Sequence, residues 1–429
     1  MPTLPLLLVV YDRGSASAME ILAAARNLCS VVFVCEGDRQ HSPGTAEWLG
    51  RLGRTLDLTG MSPGERRGAL AALGAGGIVT FSEYQLARTA ELAEACGLPF
   101  HSPEVVAGLV DKRRQRSRLH EAGVQSTRCR VVRKPEDVRE ALLDVGLPAV
   151  IKPRRGAGSV DTFRVDSLEQ AMAEAVRFLT GGATEFVVEE LLPGDPDAAG
   201  PDFGDYVSVE SVVHDGVVRH VCVTGKLPLA EPFRETGMFQ PAHLSERLTS
   251  EVLALTESAL RALGVTRGVT HVEIKLTPDG PRLIEVNGRV GGYVGALLRR
   301  SVRFDLVRAA LRAALSLPPE IPEPAFPAVE FVYFVVPPAT AEGTLAGIRG
   351  LDEVAALDDV WQVNVNAEAG RPLRWRDGTE GHLGTIHGTA ADHERLRATI
   401  AAIRSAIQID SELLPIRRYI IGQTRHKGR

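Results

Sequence analysis

The spacing of apolar residues changes character along the chain. Over the first hundred residues, wholly apolar runs (LLLVVYD, VVFVCEG, GIVTF) alternate with stretches whose apolar residues recur at helical spacing (AMEILAAARNL, LARTAELAEACG). The runs predict strands and the periodic stretches predict helices, the last closed by Gly97. A βαβα order of this kind predicts a small parallel sheet with helices on its faces. The opening LPLLLVV has no basic residue before it and meets Asp12 and Arg13 at once, so it reads as a buried strand and not an export signal. No GxGxxG follows it, so a dinucleotide site is not indicated.

Beyond residue 110 the pattern alters. Asp111 can cap a helix from Lys112 to Glu121 that stops at Gly123, and PEDVREALLDVG reads as a helix with a glycine stop. LPAVIKP is a buried strand opening into a Gly-rich loop, and TEFVVEELLPG is a strand ending in a turn. A Pro/Gly/Asp loop leads to the hairpin YVSVESVVHDGVVRHVCVTG, which turns at His214, Asp215 and Gly216. LTSEVLALTESALRALG is a long amphipathic helix, HVEIKL and RLIEVN form a second hairpin, and a helix begins near Gly295. Five prolines in LPPEIPEPAFP, residues 317–327, read as a linker. A further unit follows, with the strand VEFVYFVV and a helix from about residue 392, expected as a cap or lid.

The second hairpin carries the first candidate chemistry. If Leu276 faces Arg282 across the TPDGP turn, Glu273 faces Glu285 and His271 faces Asn287. Val272, Ile274, Leu276, Ile284 and Val286 then share an apolar face, while His271, Glu273, Lys275, Glu285 and Asn287 share the other. Two carboxylates directly opposed on a sheet repel. A shared proton, the cations Lys275 and Arg289, or a divalent ion can offset this. Two carboxylates and an amide suit Mg²⁺, which takes phosphate oxygens and waters as its remaining ligands. Arg289, just past Asn287, is placed to reach a phosphoryl oxygen. The bland alternative is a solvent-facing hairpin, with His271 as a hydrogen-bonded sheet residue.

Upstream, AVIKPRRGAGSVD sets Lys152 at a strand end and Gly156, Gly158 and Ser159 in a loop. Glycines let backbone N–H groups turn toward a phosphate, and the lysine adds charge. The loop is not a Walker A. Lys112 is a second candidate phosphate contact. In EFVVEELLPG, main-chain groups of Glu190 and Leu192 offer an adenine edge, with Glu189 or Glu190 for the exocyclic amine or the ribose. His387 and His393 have poor metal spacing, and Thr389 or Asp392 as a helix cap explains that stretch better.

Composition narrows the classes. A chain of 429 residues holds two to four domains, and 44% hydrophobic with 24% charged residues is ordinary for a soluble globular protein. A net charge of −5 gives no case for nucleic acid. The basic runs KRRQRSR at 112–118 and RHKGR at the tail read as solvated faces. Five scattered cysteines without a CxxC pair fit a reducing compartment. No stretch approaches the roughly 20 apolar residues of a membrane helix, so a cytoplasmic location is the default.

Taken in order, Lys112, Lys152 with RGAGS, VEELLPG, and Glu273 with Glu285-Val-Asn287-Gly-Arg289 resemble the ATP-grasp superfamily. The resemblance covers about residues 111–305. It implies an α/β ATP-grasp fold, α+β within the ATP module. A Rossmann-like βαβ domain is expected over 1–110, a small lid subdomain over 111–200, a large catalytic subdomain over 201–317 and a C-terminal α+β lid or cap over 328–429. It further implies ATP with Mg²⁺, for which Mn²⁺ can substitute, the metal being held by Glu273, Glu285 and Asn287. A narrower likeness is to the L-amino acid ligases, carried by VSVESVV, PFRETGMFQPAHL, GVTHVEIKL and RVGGY. In that branch a Glu at the position of Glu235 lies near the substrate amine, and Tyr293, after Gly292, shapes the amino-acid pocket. Met238 stands where one well-known member has His. The usual ribose acid falls at Tyr206, one residue from Asp205, which is taken for that role. Lys152, Lys226 and Arg289 are then the catalytic cations, with Lys226 also on the nucleotide. The activity implied is ADP-forming amide ligation of carboxylate and amine substrates, amino acids or amino-acid-like, through an acyl phosphate. A bicarbonate-activating carboxylase and a non-catalytic nucleotide-binding module are the competing readings, and a homodimer is an allowed assembly.

Overall fold

The computed structural model describes residues 4–37, 44–321, 323, 325–339 and 343–412. The basic tail at 425–429 and two positions of the proline-rich stretch lie outside them. The N-terminal unit is a four-stranded parallel sheet, ordered Thr55–Asp57, Ser30–Cys35, Leu6–Val10, Gly77–Val79. Its helices begin where the sequence supplies caps. Ser17 and Glu20 make a capping box ahead of Ala18–Ala25, and Ser62 and Glu65 another, with proline at the first turn. Gly97, at φ 65°, ends Leu86–Cys96 in the left-handed conformation that glycine adopts freely. The loop after Gly77–Val79 carries Glu83 in a 3-10 turn, at the carboxyl end of the sheet, where open α/β folds bind ligands.

Residues 111 to about 200 form a small α+β layer with a core of its own, including Val132, Ile151, Phe178 and Phe186. Four antiparallel strands, in the order Cys129–Val132, Phe186–Glu190, Ala149–Pro153, Phe163–Val165, carry helices Asp137–Val145 and Leu168–Thr180. Asp111 caps Lys112–Glu121 as expected, accepting from the N–H groups of Arg113 and Arg114.

The large subdomain is built on an eight-stranded sheet. Its order is Gly280–Asn287, Gly268–Thr277, Tyr206–His214, Val217–Lys226, Gly237–Gln240, Val329–Val335, Gly384–Ala390, Val360–Val365. The last three strands come from beyond the proline-rich stretch. That part of the chain therefore continues the large sheet instead of resting on it as a separate cap. The cores are shared in the same way. One joins Leu7, Phe33 and Phe81 to Leu297, Leu311 and Phe334, and another joins Val209, Val272 and Leu283 to Phe331, Ile386 and Ile403.

The second hairpin keeps the expected pairing at its site end and loses it at the turn. His271 faces Asn287 and Glu273 faces Glu285, but Ile274 faces Leu283 and Lys275 faces Arg282. A β-bulge leaves Ile284 without a partner, so Leu276 faces Pro281 and not Arg282. The consequence reverses one expectation. Leu283 is fully buried in the core, whereas Ile284 joins Glu285 on the wall of the cleft described next.

Candidate active site

A cleft of about 350 Å³ opens between the small and large subdomains. Glu273 and Glu285, opposed on adjacent strands, both face it. Arg289 helps to offset their repulsion, but closer cations lead. The Lys112 ammonium lies 3.0 Å from Glu285, and His271 Nε2 lies 3.4 Å from Glu273. His271 Nδ1 is 3.0 Å from both oxygens of Glu210, which is fully buried and accepts the Ser208 and Thr224 hydroxyls. Burial disfavours a charged imidazole, but the Glu210 carboxylate outweighs it and lifts His271 to about 9. Burial likewise opposes the Glu273 charge, yet the His271 hydrogen bond and charge hold that carboxyl at about 2. Lys275 is instead bonded to Asp205 at 2.7 Å. His271 is thus a bridge between two acids and more than a sheet hydrogen bond.

Asn287 completes the donor set. Its Nδ2 donates to the His271 carbonyl at 3.3 Å, and its Oδ1 is 3.5 Å from the Arg289 guanidinium. Among the described residues no group of three or more His, Cys, Asp or Glu side chains is arranged to hold a metal unaided. Two carboxylates and one amide oxygen fit a hard cation that takes its other ligands from phosphates and water.

Lys112, Lys152, Gly156, Gly158 and Ser159, the residues expected to meet phosphates, all line the cleft. Gly156 has φ 124° and Gly158 φ 69°, conformations that let the loop fold back over the cleft. Lys112 also donates to the Gly156 carbonyl at 3.0 Å, tying the first helix to this loop. Lys152 is 2.9 Å from Glu189, and Arg116 makes two bonds of 3.0 Å to the same carboxylate. Burial would raise the Glu189 carboxyl, but Arg116 and Lys152 outweigh it and hold it at about 2. Glu190 is held by Arg128 and Arg282, each at 2.8 Å. Both acids line the cleft and both are engaged by cations. The cleft also presents the apolar and aromatic side chains of Val150, Leu191, Leu192, Tyr206 and Ile284. Asp205, bonded to Lys275 through Oδ1, is not among the lining residues.

Arg289, not itself among the lining residues, has its Nε 2.7 Å from Glu83, a residue of the N-terminal unit. Burial raises the Glu83 carboxyl, and Arg289 counters this only in part. Lys226, 1% exposed, is bonded to Glu235 at 2.7 Å and sits over the Tyr206 ring. Glu235 and Tyr206 line the cleft and Lys226 does not, so Lys226 acts on the cleft through Glu235. Met238, at a position that the resemblance links to the substrate, is not among the residues lining the cleft. It is packed in the shared core with Val332 and Phe334, against which Tyr293 rests. Gly292 is exposed with open space around it, whereas a Cβ on its neighbour Gly291 would collide with the His271 ring.

Sequence reasoning missed Arg116, Glu210, Glu83 and Thr379. Arg116 had a signal, since it lies four residues after Lys112 and so shares its helix face. The basic run 112–118 is accordingly not a plain solvated face, because both Lys112 and Arg116 are buried. The other three come from distant stretches that only the fold brings together.

Residues 145–296 match a family model described as an ATP-grasp domain. Alanine–anticapsin ligase of Bacillus subtilis (strain 168) is 29% identical over 238 residues, covering 51% of this chain and 49% of that protein. Carnosine synthase 1 of Gallus gallus is 30% identical over 263 residues, covering 54% and 26%. The chain thus spans about half the length of the alanine–anticapsin ligases it matches. The solved L-amino acid ligase from Bacillus licheniformis superposes with a TM-score of 0.74 at 21% identity, covering 96% of this chain and 100% of that one. The fold of this chain is therefore the ATP-grasp fold.

Proposed function

Proceeding from an ATP-grasp domain over residues 145–296, we propose that this chain is an ADP-forming ligase that joins a carboxylate to an amine, both being amino acids or amino-acid-like molecules. The observation that carries the reading is the opposed pair Glu273 and Glu285 on one wall of the cleft, with Asn287 and Arg289 following on the same strand end. The kinship to amino-acid ligases supports the substrate class.

A carboxylate is a poor electrophile because its charge repels a nucleophile. Transfer of the γ-phosphoryl group from ATP gives an acyl phosphate and ADP. The amine then attacks the acyl carbon and inorganic phosphate leaves with the C–O bond electrons. Lys112 and Lys152 hold the phosphates beneath the glycine loop. Arg289, steadied at one edge by Glu83, keeps other N–H groups for the transferring phosphoryl group. Glu273, Glu285 and Asn287 would hold Mg²⁺ or Mn²⁺, which when bound neutralises phosphate charge. Glu235, held by Lys226, accepts from the ammonium of the incoming amino acid.

The test is ADP and phosphate release from Mg-ATP with amino acids singly and in pairs. Release that needs a pair and yields an amide is expected. Release driven by bicarbonate alone would replace this reading with a carboxylase. ATP binding without release for any acceptor would replace it with a non-catalytic module.

A further inference from the structure

Thr379 reaches the cleft from far along the chain. It stands in the 3-10 stretch Trp375–Gly381 and lines the cleft together with Gly158 of the glycine loop and with Glu235. Its N–H donates to the Gly158 carbonyl at 2.9 Å, and its carbonyl accepts from His382 Nδ1 at 2.9 Å. Its hydroxyl oxygen accepts the Glu235 N–H at 3.2 Å. A hydroxyl has a proton to give as well as lone pairs to receive, and it rotates to suit its partner. Among the described residues nothing accepts the Thr379 proton.

The stretch that carries Thr379 is held on several sides. The Arg376 carbonyl accepts the Asp161 N–H at 3.0 Å, the Arg376 guanidinium lies 3.3 Å from Glu174, and Trp375 meets Phe163 edge to face at 5.7 Å. Glu380 pairs with Arg13 of the N-terminal unit. A donor fixed in this way loses little freedom when a ligand arrives, so its hydrogen bond to that ligand keeps more of its strength. The glycine loop is served by the same contacts. Lys112 occupies the Gly156 carbonyl and the Thr379 N–H occupies the Gly158 carbonyl, both of which would otherwise repel a phosphate.

We propose that Thr379 is a catalytic residue whose hydroxyl donates to an oxygen of the γ-phosphoryl group as that group passes from ATP to the substrate carboxylate. Resting on the ligase reading above, this role adds to Lys112 and Lys152 a neutral donor from the C-terminal part of the chain. The transferring group spreads its charge over three oxygens, and a fixed hydroxyl on one of them stabilises the transition state without burying a further charge. The bond that forms joins phosphorus to a carboxylate oxygen, and the bond that breaks joins phosphorus to the departing ADP oxygen. The Thr379 proton stays on its own oxygen throughout.

The test uses the full chain with Mg-ATP and one amino acid, adding hydroxylamine in one arm and a second amino acid in the other. Hydroxylamine attacks the acyl carbon and releases phosphate as the hydroxamate forms, so this arm reports phosphoryl transfer without a bound amino-acid amine. Thr379→Val keeps the shape and loses the hydroxyl, whereas Thr379→Ser keeps the hydroxyl. Thr379→Val should lower kcat about ten- to hundredfold in both arms, the range of one hydrogen bond to a charged group. The KM for ATP, and the affinity for ADP by calorimetry, should stay within about twofold. Thr379→Ser should stay within about threefold of the unaltered chain in both arms. Should Thr379→Val lose ADP binding, Thr379→Ala is compared with Thr379→Ser in the same arms. Loss confined to the arm with the second amino acid would show that Thr379 acts only through Glu235. A raised KM for ATP at unchanged kcat would show that it only supports the loop. Either result would overturn the proposal while leaving a working ligase. No ADP from the unaltered chain in either arm with any amino acid would overturn the ligase reading, and this role with it.

Discussion

Arg289 and Glu189 illustrate two ways in which a single charge serves this site. Arg289 is held by Glu83 and borders the acids, so its effect is expected in the reaction and not in nucleotide affinity. Arg289→Ala should lower kcat by about 10²- to 10³-fold, with ATP affinity changed little by calorimetry. Near-normal turnover would remove the role given to it. Glu189 works through stability and position. Its carboxyl is held at about 2 against an ordinary 4.5, so the folded state binds the proton less readily than the unfolded one. The stabilisation is complete above about 4.5 and is lost as pH falls from there toward 2. Across that window roughly 3 kcal/mol should disappear, at about 1.4 kcal/mol for each pH unit between the two values. Urea unfolding between pH 7 and 3 should show this acid limb, and Glu189→Gln should flatten it.

Between elements, the decisive contact is the one between the glycine loop and the 3-10 stretch Trp375–Gly381. Gly378 adopts φ 63° and ψ −144°, open in practice to glycine alone, and a Cβ there would collide with the Gly158 carbonyl and the Val160 N–H. Gly378→Ala should push the two segments apart and raise the KM for ATP by about tenfold, the factor set by strain of 1–3 kcal/mol. A KM unchanged in a folded variant would show that the loop closes without this support. The Glu–Glu hairpin shows at the same scale what a pattern can and cannot reveal. Its alternation announces two acids on one face, and the site-end pairing holds. The two-residue turn at Pro278–Asp279 and the bulge at Ile284 leave no mark in the alternation, because a bulge adds one residue without altering the local composition.

Across the whole molecule, the C-terminal stretch is structurally part of the large eight-stranded sheet. Val329–Val335 pairs with Gly237–Gln240, and Gly384–Ala390 pairs with Val329–Val335. A chain ended at residue 327 would bare an interior edge and the apolar surface around Phe331, Phe334 and Ile386. It should aggregate or fail to melt cooperatively by circular dichroism, and a soluble fragment with a sharp transition would contradict this. The small subdomain, with its own core, should by contrast show the largest change in hydrogen-exchange protection on binding ATP. Local signals sufficed wherever the physics is local: the cap at Asp111, the glycine stop at Gly97, the alternation around Glu273 and Glu285, and the order of lysine, glycine loop and terminal acids that marks an ATP-grasp module. Tertiary structure alone decided which charges meet. Glu189 went to Arg116, Asp205 to Lys275 and Glu83 to Arg289, because partners separated by scores of residues are chosen by packing and by the cost of leaving a buried charge unpaired, and neither is written in the spacing of one segment.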